Sequence, residues 1–247
     1  MPHSVHGTSG DEYLPISTAT TAKHEVPPLA NLYWNTNLTA EEYTLDCPPY
    51  LQNIALKARL ALSTRDTDFH IQTWDEVREI VASNRIDKFQ RMPSQLRAYL
   101  KYMWSLKKEH RTVMDHVKTH RLQWEDVMPL GKKPFEEATD WKVLYNDWPY
   151  GIDPEIVHLV VWTKFALEDD PITDDLTPRM RAFIERFVME TFCSEDGVER
   201  ESLVWFKNWK SLKSIHALEH FHIMLHKPSP QFLRRITNDD RPTWTTV

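Results

Sequence analysis

Glycine is scarce in this chain, with only five in 247 residues. Phosphate cradles built on glycine backbones are therefore not expected. No P-loop, dinucleotide fingerprint, nucleophile elbow or kinase set occurs. Cysteine is scarcer still. Cys47 and Cys193 lie far apart, which is no disulfide framework and fits a reducing compartment. There is no basic excess: 30 Lys and Arg stand against 36 Asp and Glu, for a formal net charge of -6. That balance argues against nucleic acid as a partner, because phosphate-driven binding needs a basic surface. Long apolar runs are missing too, so no membrane span and no membrane partner is expected. The first 22 residues are polar, without the basic start and apolar run of a secretory signal. The expected location is cytoplasmic, with the nucleus also compatible.

What is present is rich in tryptophan and proline. Residues 1–37, with low hydrophobicity and the Pro27–Pro28 pair, read as a disordered tail. Residues 38–237 read as a single α+β domain, helical over about 50–120 and sheet-containing over about 140–226, followed by a tail over 238–247. Tyr50–Leu62 has helical composition. Thr73 and Glu76 fit a capping box ahead of the stripe Trp74, Val77, Ile80 and Val81. A third helix is expected from Pro93 or Ser94 to about His120. Its apolar side begins with Leu96, Tyr99, Leu100 and Met103. Its basic side, including Arg97, Lys101, Lys107 and Lys108, reads as a solvated surface or as a dock for an anionic protein partner.

Three runs have strand character: Val157–Phe165, Leu203–Trp209 and His220–Leu225, with Trp141–Tyr145 as a short fourth. Between the short strand and the first long one, Asn146 to Gly151 forms a turn carrying Trp148 and Tyr150, where Gly151 supplies backbone freedom. Thr177 caps a helix with Pro178 in its first turn and the stripe Met180, Phe183, Ile184, Phe187 and Val188. The fold expected is a small, mainly antiparallel sheet with helices on one face and an N-terminal helical region.

Strand alternation divides the side chains into two sets. Val157, Leu159, Val161, Val204, Phe206, Phe221, Ile223 and Leu225 would make a dry face. His158, Trp162, Lys164, Trp205, Lys207, Trp209, His220 and His222 would make the other. Tryptophans beside lysines and histidines suit a lined pocket, in which indoles stack on a ring and ammonium groups meet an anion. Asn208 belongs to the same run. The competing reading is an amphipathic sheet whose lysine stems cover aromatic surface. His220 and His222 share a strand face and suit acid–base or phosphate-contacting roles. Asp147 reads as a general base or as a turn-forming side chain. His216, His220 and His222 are ligand types for zinc or another divalent metal, or else ordinary hydrogen-bonded histidines.

Four motifs carry a resemblance: Asn146–Gly151, His158–Lys164, Trp205–Trp209 and Glu219–His222. In that order they resemble a fungal family named after an N-acetylglucosamine-induced protein and known as a domain of unknown function, over roughly Leu96 to Thr237. The resemblance implies a fungal, cytosolic protein tied to amino-sugar response or metabolism. It supplies no reaction and no cofactor. The leading expectation is a pocket for a small anionic, sugar-like or nucleotide-like molecule. The alternatives are a non-catalytic protein-interaction module and a histidine-ligated, metal-dependent hydrolase.

Overall fold

Four strands form one antiparallel sheet in the order β1-β2-β4-β3: β1 (Trp141–Tyr145), β2 (Ile156–Thr163), β3 (Leu203–Phe206) and β4 (Glu219–His226). The structure is a computed structural model describing residues 28–109, 112–173, 175–209 and 218–242. Among these residues six α-helices accompany the sheet: α1 (Leu56–Leu62), α2 (Trp74–Ala82), α3 (Pro93–Glu109), α4 (Val113–His116), α5 (Pro178–Phe192) and α6 (Pro230–Thr237). The class is α+β, with a helical N-terminal region.

The register follows from which residues must be dry. Leu159 pairs with Ile223 and Val161 with Phe221. All four are fully buried, against Ile184, Val188 and Phe192 of α5 and Phe232 of α6. α5 starts where expected: the Thr177 side chain accepts from the Met180 N–H, and Pro178 occupies the first turn. The second face is covered as well. Val77 and Ile80 of α2 pack on Phe206 and Met224. Leu144, Val160 and Trp162 pack on Val117 and Leu122. The N-terminal helices therefore cover the second face, and most of the sheet is dry on both sides.

Two-sided burial explains one correction. Trp205 lies opposite Ile223, and Phe206 opposite His222. Trp205 thus faces α5, while Val204 and Phe206 share the histidine face, the reverse of the expected phase for this strand. β3 spans four residues, all apolar, so polarity gives no alternation to set its phase. Lys207, Asn208 and Trp209 lie beyond the strand and do not continue its alternation.

The third helix is also divided. After α3, Thr112 caps α4 by accepting from the Asp115 N–H, and α4 runs into a π-helical turn over Val117–Leu122. Arg97 does not belong to a solvated basic face. It is buried and donates to the carbonyls of Trp34 (2.6 Å) and Thr36 (2.9 Å), fastening that segment onto α3. Asn35 beside them is fully buried. Among the described residues, no helix is long and apolar enough to cross a membrane.

Candidate functional site

The second face of the sheet is not packed shut everywhere. A cavity of about 180 Å³ lies between it and the helical region. Leu144, Val160, Trp162, His220 and His222 form its floor, and Tyr102, Met103 and Leu106 of α3 stand opposite. Trp148, Tyr150, Arg91 and Asn208 line it too. An apolar cavity of about 150 Å³ holds benzene, so this one has room for a single ring with substituents.

The loop after β1 is held in place from both ends. The Asn146 N–H donates to the His158 carbonyl at 2.9 Å, and Asn146 Oδ1 accepts from the Trp148 N–H at 3.0 Å. The turn-forming side chain is therefore Asn146 and not Asp147. Gly151 bonds to both Gln90 and Gln72. A Cβ on Gly151 would stand 2.2 Å from the Phe69 ring, and among the described residues no glycine has positive φ. Close approach, rather than backbone freedom, is what requires glycine at this position.

Beneath the cavity runs a chain of polar side chains. Asn146 Nδ2 stands 3.2 Å from the His158 ring nitrogens. His158 Nε2 meets His222 Nδ1 at 3.0 Å, and His222 Nε2 meets the Asn208 amide at 3.0 Å. Burial, reinforced by Arg91, lowers the pKa of His158 to about 3. Burial pushes His222 well below its ordinary range, with His158, His220 and Arg91 adding to the effect. Both rings are neutral at physiological pH. The Tyr150 phenol beside them is pushed up by burial, opposed by Arg91 and Asn208.

Positive charge at the cavity comes from two arginines, and the carboxylate of Asp147 lines it as well. Arg121 is committed: its Nε donates to Asp147 at 2.9 Å, and its two Nη groups donate to the carboxylate of Asp240 at 2.7 and 3.0 Å. Asp240 also accepts from the Tyr145 N–H at 2.9 Å. Arg91 is different. Its Nε donates to the Trp148 carbonyl at 3.0 Å, and its guanidinium lies over the rings of Tyr99 (4.2 Å) and Tyr150 (5.5 Å). Among the described residues no carboxylate pairs with it.

Of the residues singled out by sequence, Asp147, Trp148, Tyr150, Trp162, Asn208, His220 and His222 come together at this cavity, with His158 bonded just behind. Four others do not. Trp205 is in the α5 core, donating from Nε1 to Glu185 at 2.6 Å. Trp209 packs against the α2 cluster and donates to Asn84 at 3.2 Å. Lys164 pairs with fully buried Asp140 at 3.6 Å. Lys207 pairs with Asp169 of the acidic loop. The two lysines expected to meet an anion are thus already neutralised.

Sequence reasoning passed over Arg91, Tyr102 and Asn146. Asn146 was within a motif. Tyr102 lies on α3 but outside the stripe Leu96, Tyr99, Leu100 and Met103 that the spacing marked. Arg91 sits between helices with no local pattern to mark it. The proposed metal set fares poorly on donor chemistry. Both nitrogens of His222 are engaged by neighbours, His220 Nδ1 donates to the Leu218 carbonyl at 3.0 Å, and His216 lies outside the described residues. Among the described residues, no three His, Cys, Asp or Glu side chains are grouped to hold a metal ion.

Comparison with known proteins bears on all of this. "N-acetylglucosamine-induced protein 1" of Candida albicans is 26% identical over 180 residues, covering 65% of this chain and 70% of that protein. An uncharacterized protein of Saccharomyces cerevisiae is 26% identical over 167 residues, covering 64% and 81%. Among solved structures, that of HTC1 aligns with a TM-score of 0.49 at 26% identity, covering 68% of this chain and 94% of its own. The family described as "Protein of unknown function (DUF3605)" matches residues 73–226, from the cap of α2 to the end of β4. With more than half of its length matched, and Arg91, the 146–151 loop and the histidine chain all inside the match, this chain belongs to the DUF3605 family.

Proposed function

We propose that the cavity binds a small, hydroxyl-rich anion of about monosaccharide size, such as a sugar phosphate. The observation that carries this reading is Arg91: a guanidinium braced by two tyrosine rings at a cavity, without a carboxylate partner among the described residues. Partly buried cations without a counter-charge favour an anionic ligand. Trp148, Trp162 and Tyr150 supply the flat surfaces on which a sugar ring packs. The size of the cavity favours one ring over a nucleotide sugar. The Candida relative's name makes phosphorylated amino sugars the first compounds to try. Two free thiols, Cys47 and Cys193, suit a cytoplasmic site of action.

Isothermal titration with N-acetylglucosamine 6-phosphate, glucose 6-phosphate and glucose tests the proposal. The phosphates are expected to bind. Arg91→Gln, which keeps a donor for the Trp148 carbonyl, is expected to weaken them at least about tenfold, since a charge-assisted hydrogen bond contributes roughly 1.5–3 kcal/mol. Absence of heat with every sugar, or phosphate affinity untouched by the substitution, would overturn it.

A further inference from the structure

The lining of the cavity turns apolar away from Arg91 along both of its walls. On α3, Tyr99, Tyr102, Met103 and Leu106 all line it, the i, i+3, i+4, i+7 spacing of a single helix face. Arg91 lies over Tyr99 at 4.2 Å. A helix rises about 1.5 Å per residue, so Leu106 stands about 10 Å further along α3 than the ring that braces the cation. On the sheet, His158 marks the Arg91 end: its ring is 5.3 Å from Tyr150, over which Arg91 also lies. A strand advances about 3.3 Å per residue, which sets Trp162 about 13 Å beyond His158 on β2. Val117 joins the two walls, packing in one cluster with Leu144, Val160 and Trp162. Val113 lines the cavity beside it.

Polar groups on this side are already engaged. His116 Nε2 is 3.1 Å from the Tyr102 hydroxyl, and His220 Nδ1 is 3.0 Å from the Leu218 carbonyl, with its ring against Trp162. Arg121 is paired with Asp147 and Asp240. A sugar carrying only hydroxyls would strand some of them here, and a buried hydroxyl without a partner is destabilising. An amine would bring an ammonium to an apolar wall, while Asp147, the carboxylate that lines the cavity, is already held by Arg121. A neutral substituent with an apolar tip has neither cost.

We propose that Leu106, Val113, Val117 and Trp162 form an acyl subsite, so that the ligand class is acylamino sugar phosphates, with the phosphate at Arg91 and the acyl group at the apolar side. The inference rests on the cavity binding a sugar phosphate and specifies the second substituent. One hexose with a substituent at each end matches a cavity that is charged at one end and dry at the other.

Isothermal titration of the full chain with N-acetylglucosamine 6-phosphate, glucose 6-phosphate and glucosamine 6-phosphate tests it. The acetyl compound is expected to bind at least about threefold tighter than glucose 6-phosphate, the gain from burying one methyl-sized group. Glucosamine 6-phosphate is expected to bind weakest. A smaller acetyl advantage, or a free amine that binds tighter than glucose 6-phosphate, would overturn the acyl subsite and leave the anion site standing. Leu106→Ala then locates the acyl group. The N-butyryl congener is expected to gain at least about fourfold over its wild-type affinity by filling the vacated space, while glucose 6-phosphate changes less than about twofold. Val113→Ala, at a half-buried position, carries the same expectation and serves if Leu106→Ala does not fold. A smaller N-butyryl gain in every folded variant would place the acyl group elsewhere and overturn the subsite. Binding of none of the phosphates would remove the ligand site itself, and the acyl subsite with it.

Discussion

At the scale of single residues, position relative to the strand decides what a tryptophan does. Trp205 and Trp162 both sit in strands and both are buried, yet Trp205 faces α5 and Trp162 the cavity. Trp205→Ala is expected to destabilise the fold by about 3–5 kcal/mol, the range for a large aromatic cut from a core, and leaves Glu185 without its indole donor. The folded fraction should bind ligand as wild type does. Urea unfolding followed by fluorescence, with titration of the same variant, checks this; lost binding at undiminished stability would place Trp205 functionally at the cavity. Sequence alone could say that Trp162, His158, His220 and His222 share a face, because β2 and β4 are long enough to alternate visibly. It could not place Trp205, because a short, wholly apolar strand has no phase. Nor could it tell that Lys164 and Lys207 are neutralised, since Asp140 and Asp169 are distant in sequence and meet them only in the fold.

Among the elements, those with local signals were legible and those set by distant contacts were not. The Thr73–Glu76 box caps α2 and Thr177 caps α5, each with the bonds its spacing implies. The apolar stripe of α3 was visible, but not that a cavity would lie under Tyr102 and Met103. The segment after β4 shows the same gap. Residues 238–247 read as a tail, yet Asp240 ties Arg121 in the π-helical turn to the Tyr145 N–H at the end of β1. All these groups are largely shielded, with Arg121 14% and Asp240 11% exposed. Removing one partner of a shielded ion pair leaves the other uncompensated. Asp240→Ala is therefore expected to cost about 2–4 kcal/mol, below the usual upper range because Arg121 keeps Asp147. Hydrogen exchange should quicken over residues 113–122 before it does in β2 and β4. A variant with unaltered exchange there would show that Asp240 is no anchor.

For the whole molecule, the buried histidine pair links the candidate site to stability. His158 and His222 are almost wholly buried, His158 behind the cavity and His222 in its floor, so charging either ring within the fold sets a charge among largely apolar neighbours. Their folded pKa values are depressed, that of His158 to about 3 against 6.5 for the free side chain. Between those values the unfolded chain binds protons that the folded chain refuses. The histidine contribution is thus fully present above pH 6.5 and is lost progressively as pH falls toward 3. The slope approaches about 1.4 kcal/mol per pH unit for each histidine. Between pH 7.5 and 5.5 the pair should cost the protein about 2–3 kcal/mol, well before depressed carboxylates such as Asp140 take up protons. Urea midpoints across that range measure it. His222→Gln, whose amide takes up no proton, should flatten the slope by about half. If stability were constant from pH 7.5 to 5.5, both rings would have to charge within the folded protein. The neutral, hydrogen-bonded histidine pair beneath the cavity would then not exist. One acid titration therefore tests both the packing of the sheet and the neutrality of the histidines on its second face.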